Sequence, residues 1–140
     1  MLIFLAEYVR IALLLPMTGA SPRGLKTAGA AALAVNQVNA DQSLLPGCIL
    51  AYRWADSGCS AEQGLAAMGK LLGGASRVDA VIGPGCSSAC EVTGYLSGGQ
   101  GIPQISWGCT AVSLSNKEQY GLVRLLSFSF AFELQPGRVL

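Results

Sequence analysis

The chain has 140 residues, 51% of them hydrophobic and 12% charged, where a typical globular chain is about 25% charged. That length makes one domain, and a net charge of +1 with scattered basic residues argues against nucleic acid as a partner. The sequence contains no histidine, which excludes Ser-His, Cys-His and His-metal chemistry within this chain.

The amino terminus, M-L-I-F-L-A-E-Y-V-R, is apolar but carries no basic leader, and Glu7 and Arg10 interrupt the stretch. It reads as an extension running into the first strand and not as a signal peptide. Tyr8 to Leu15 follows as a strand candidate that stops at Pro16. Its longest apolar run, Ile11 to Leu15, is far below the roughly 18 residues a membrane span needs. After the turn-rich segment from Met17 to Gly24, the residues Leu25, Ala28, Ala32, Val35 and Val38 recur at helical spacing to about Asn39. Cys48 to Trp54 is the second strand. Ser60 and Gln63 stand at capping-box spacing before a helix whose stripe is Ala61, Leu65, Met68 and Leu72, and Gly73-Gly74 stops it.

Val78 to Ile82 is a third, buried strand meeting the sharp turn Gly83-Pro84-Gly85. Ser88 and Glu91 repeat the capping-box spacing, and Ala89, Val92 and Leu96 follow at helical intervals. Ile102 to Trp107 is a fourth strand ending at Gly108-Cys109-Thr110. Alternating strands and helices with short connections predict an α/β fold, a doubly wound parallel sheet of Rossmann-like build. Two parallel strands joined by a helix bring their end turns to one edge of the sheet. Open sheets receive ligands at that carboxyl edge. Beyond Tyr120, residues 121–140 form a divergent apolar tail in which Leu125 to Phe132 is an edge-strand candidate.

Five cysteines without a C-x-x-C pair leave two readings. They are buried free thiols, or they form one or two disulfides with one thiol left over. No G-x-S-x-G elbow is present, and Glu91 near Ser88 is better explained as a helix cap than as a base. Catalysis is therefore not expected in this chain. A nucleotide-binding, Rossmann-like enzyme domain is the weakest alternative. After Gly83-x-Gly85 the third glycine is replaced by Ser88, and no acidic residue follows about 20 positions on at a suitable strand end.

The runs G-P-G-C-S-S, I-P-Q-I-S-W-G-C-T and L-S-N-K-E-Q-Y resemble the first lobe of type I periplasmic-binding-protein-like receptors, the ANF-receptor family. That family includes the ligand-binding regions of natriuretic-peptide-type guanylate cyclase receptors, metabotropic glutamate receptors and bacterial amino-acid-binding proteins. The resemblance covers residues 9–120, a partial first lobe, between the extension of residues 1–8 and the tail of residues 121–140. It implies a non-catalytic sensor lobe on the extracellular or periplasmic side of a membrane receptor. The ligand would be an amino acid or similar small molecule, an anion, or a peptide, and the lobe would be a candidate for homodimerisation. A truncated fragment that keeps only the fold is the competing reading.

Carried onto this sequence, the resemblance places Ser87 and Thr110 where amino-acid-binding members hold the ligand's carboxylate and amino groups. Gly108 and Ser88 fall where backbone groups assist. The family's distal-carboxylate arginine position holds Thr27, with Arg23 and Lys26 offset, which puts glutamate in doubt. The Gly85-Cys86 turn and Cys59 resemble the natriuretic-peptide type, where a chloride ion sits near this turn; no other cofactor and no metal is implied. With the resemblance favouring disulfides, Cys59 and Cys86 are the expected pair. They lie in carboxyl-edge loops after strands two and three, about 9.6 Å apart across the first strand in a 2-1-3 order. The loops must lean over that strand to bridge. The pairing of Cys48, Cys90 and Cys109 stays open.

Overall fold

The computed structural model describes residues 7–126. The readings of residues 1–6, and of the tail from residue 127 onward, lie outside the described residues. Five strands form one sheet: β1 (Glu7–Leu15), β2 (Cys48–Asp56), β3 (Ala80–Ile82), β4 (Gln104–Ser106) and β5 (Val123–Leu125). Three helices connect the first four: α1 (Gly24–Ala40), α2 (Ala61–Leu72) and α3 (Ser87–Gly99). The spatial order is β2-β1-β3-β4-β5, and every neighbouring pair is parallel. This is the doubly wound α/β lobe expected of the sequence. The strands carrying the two glycine turns, β3 and β4, are neighbours. Val123 to Leu125 is an edge strand that opens two residues before the expected Leu125, with Val123 fully buried.

The chain's continuous apolar run lies in β1, an interior strand between β2 and β3, where a strand is covered on both faces. Ala12 and Leu14 of β1 pack with Val81 of β3 and with Ala67, Met68 and Leu71 of α2. Fully burying a side chain of leucine size contributes about 1.5–3 kcal/mol, so this cluster anchors the lobe. A second cluster joins Cys90 and Cys109 to Leu114, Tyr120 and Val123 at the β5 end.

Three helix faces differ from the periodic reading. On α1, Val35 is buried and Ala28, Ala32 and Val38 are half-buried, but Leu25 is 67% exposed. The α2 stripe is turned by one residue: Gly64, Ala67, Met68 and Leu71 are buried, whereas Leu65 is exposed. The reason is α3, which packs directly on α2. A Cβ on Gly64 would lie 2.9 Å from the Ala89 Cβ, so the small residue sets the line of closest approach. On α3 the buried residues are Ala89, Cys90, Thr93, Gly94 and Ser97, a small and partly polar face in place of the expected Val92 and Leu96. Gln104 of β4 makes that polarity tolerable, donating to Thr93 Oγ1 at 3.0 Å and accepting from Ser97 Oγ at 3.1 Å.

Candidate functional site

The first pair of carboxyl-edge loops follows β1 and β2. Asp56, the last residue of β2, accepts from the N–H groups of Met17 (2.8 Å), Thr18 (3.3 Å) and Gly58 (2.8 Å) and from the Thr18 hydroxyl (2.6 Å). Burial pushes the Asp56 carboxyl up, but the Thr18 hydroxyl and the three N–H groups outweigh it and hold the group below its ordinary value. Gly19, at φ +86°, packs so tightly that a Cβ there would fall 1.9 Å from the Gly58 carbonyl oxygen. Ser60 caps α2 as expected, accepting from the Gln63 N–H at 3.2 Å.

The second pair follows β3 and β4. The strand turn at Gly83 has φ +95° and passes against the Leu14 carbonyl, leaving no room for a side chain. Gly85 and Gly108 bring the turns together, since a Cβ on Gly108 would lie 2.7 Å from the Gly85 carbonyl oxygen. Trp107 covers the other side of Gly85, its ring 2.5 Å from where a Cβ would sit. The close backbone approach that a pyrophosphate would require at this glycine is thus taken by an indole.

The capping-box reading of Ser88 and Glu91 does not hold. The residue preceding α3 is Cys86, which makes no side-chain cap. The Ser88 hydroxyl instead donates to the Cys59 carbonyl at 3.3 Å, and Glu91 accepts from the Ser113 hydroxyl. Both side chains find partners more than 20 residues away, because the helix begins two residues earlier than the spacing implied.

Ser87 and Thr110 are brought together. The Thr110 and Ala111 N–H groups donate to Ser87 Oγ at 3.0 and 3.1 Å. A hydroxyl has two acceptor lone pairs and one donor proton, so both lone pairs are filled and only the O–H is left. Neither that proton nor the Thr110 side-chain hydroxyl has a partner among the described residues. Ser87 opens α3, whose first N–H groups have no intrahelical acceptor and carry the positive end of the helix dipole. Gly108 turns its own N–H inward, 3.4 Å from Ser106 Oγ. Thr27, at the distal position, spends its hydroxyl on the Arg23 and Gly24 carbonyls of its own helix.

Two disulfides frame this edge. Cys59 bonds Cys86 with their Cα atoms 5.2 Å apart, as expected, and joins the beginnings of α2 and α3. Cys90 bonds Cys109 with Cα atoms 6.5 Å apart, and Cys48 remains a free thiol.

The family model described as "Receptor family ligand binding region" matches residues 26–130. The chain belongs to this ANF-receptor family. It is 34% identical over 102 residues to the resact receptor of Arbacia punctulata, covering 69% of this chain and 9% of that protein. It is 37% identical over 79 residues to guanylate cyclase D of Mus musculus, covering 56% of this chain and 7% of that protein. It is likewise 37% identical over 83 residues to glutamate receptor 3.4 of Arabidopsis thaliana, covering 59% of this chain and 8% of the relative. The chain thus spans less than a tenth of the length of these relatives. The parallel sheet and its paired glycine turns are a lobe of that receptor region. The family match continues ten residues past Tyr120, through β5.

Among the described residues no helix is long and apolar enough to cross a membrane. No group of three or more His, Cys, Asp or Glu among them could hold a metal ion.

Proposed function

We propose that this lobe senses a small, acceptor-bearing ligand (a carboxylate such as that of an amino acid, or an anion such as chloride) at the turns after β3 and β4. One observation carries the reading: Ser87 Oγ accepts two N–H groups, which converts an ambivalent hydroxyl into a pure donor at a helix N-terminus. The Thr110 hydroxyl beside it is exposed and supplies a second polar contact. The backbone of Gly85 and Cys86, one step before α3, is where we place an anion, because helix N-termini favour negative charge. Binding and not bond-making is the proposed activity, with closure of a second lobe over the ligand as the signal. Two disulfides support placement outside the cytoplasm, where such bonds persist.

With only one lobe contributing contacts, affinity is expected to be weak, about millimolar. Calorimetric or NMR titration of the full chain with glycine, glutamate and chloride, alongside Ser87→Ala and Thr110→Ala, tests the reading. Binding of any of the three that both substitutions leave unchanged rules out this site.

A further inference from the structure

We infer that Cys90 and Cys109 are positioning residues for the ligand edge. Their disulfide holds the turn after β4 on α3, so that Thr110 and Ala111 keep both lone pairs of Ser87 filled. The inference rests on the Ser87 reading above and adds the element that maintains it.

The geometry is an i, i+3 pair set against a run of consecutive residues. Ser87 and Cys90 are three apart on α3, so they share one face of the helix. Opposite them stand Cys109, Thr110 and Ala111, consecutive in the turn. Cys90 holds that turn covalently through Cys109, and Ser87 holds it through the next two N–H groups. The two grips differ in exposure. Cys90 and Cys109 are fully buried, with the Cys109 N–H 3.3 Å from the buried Ser106 hydroxyl, whereas the Thr110 contact with Ser87 lies at the surface.

At its base the turn is held by the packing of Gly108 on Gly85 and by the Ser106 hydroxyl, but regular structure gives it little support. β4 is three residues long, and no helix or strand intervenes before the short 3-10 turn Val112–Ser115. Hydrogen bonds at a surface are open to replacement by water, so a turn held by them alone opens locally. The Cys59–Cys86 bridge joins α2 to α3 and does not reach this turn. Were the Cys90–Cys109 bond only a core staple, its loss would loosen the second cluster evenly. A positioning bond, by contrast, releases Thr110 and Ala111 first.

The test is amide hydrogen exchange on the full chain carrying Cys90→Ala with Cys109→Ala. Cys90→Ala with Cys109→Val serves as a volume-restoring version should the first fail to fold. Met68→Ala, in the other cluster, controls for general destabilisation. The expected result is a loss of protection at the Thr110 and Ala111 amides of roughly tenfold or more relative to Leu13 and Val81. Met68→Ala should leave that ratio unchanged. Titration with glycine and chloride should weaken about tenfold in the folded disulfide variant. Unchanged relative protection at Thr110 and Ala111 in a folded variant overturns the inference. Selective loss of protection in a protein whose wild type binds none of the probes upholds the positioning role and overturns the ligand reading instead.

Discussion

The two pairs of loops on the carboxyl edge use polar groups in opposite ways. After β1 and β2, the Asp56 carboxylate collects four donors from two loops, three N–H groups and one hydroxyl. Every contact is internal, so the result is a closed knot. After β3 and β4, the Ser87 hydroxyl collects two donors and still has a proton to give. An acceptor saturated by its own chain stabilises the fold, whereas a donor left over at a helix N-terminus has something to offer a ligand. Cys59–Cys86 ties the closed half to the open one.

Removing that tie should have the largest effect. Cys59→Ala with Cys86→Ala is expected to cost about 2–4 kcal/mol in a chemical denaturation curve, the value for closing a loop of this length. Next comes the closed half itself. Gly19→Ala places a Cβ against the Gly58 carbonyl at a positive φ and should cost about 1–3 kcal/mol by the same measurement. Gly108→Ala, the corresponding contact in the open half, has an ordinary φ and should cost less.

Asp56→Asn sharpens the comparison through pH. The folded carboxyl lies below its ordinary value, because the hydrogen bonds outweigh burial. Its stabilisation is therefore present in full above the unfolded value of about 3.9 and is lost as pH falls through the lower folded value. Melting temperatures of wild type and variant should differ most near pH 7 and converge under strongly acidic conditions. A constant gap across that range would remove the carboxylate from its assigned role.

The smallest stability effect belongs to the open half. Thr110→Ala should stay within about 0.5 kcal/mol, as surface substitutions usually do, while weakening glycine or chloride binding. A large loss of stability at Thr110 would mean that this side chain belongs to a closed knot after all.

Much of the fold was legible because it is written in local period. The run of leucines in β1, the glycine turns after β3 and β4, and the Ser60 cap are each set by residues a few positions apart. The stripes on α2 and α3 were misread where the deciding neighbour is another helix. Gly64 is buried because Ala89 approaches it, and Thr93 and Ser97 are buried because Gln104 answers them. The helical spacing marks Asn39 only as the approximate end of the first helix. That residue exchanges two hydrogen bonds with the Leu50 backbone and pins the end of α1 to β2.

By itself, the sequence determined that this is a parallel α/β lobe with two polar turns on one edge. Alternating strand-length apolar runs and helical periods admit few other arrangements, and right-handed crossovers send successive turns to the same side. Only the tertiary structure decided what the polar residues in those turns do. Ser88 and Glu91 have the spacing of a cap and instead bond Cys59 and Ser113. Ser87 becomes a donor only because Thr110 and Ala111, 23 and 24 residues further on, occupy its lone pairs. A hydroxyl can give or accept with equal ease, so its role is fixed by which groups packing brings to it.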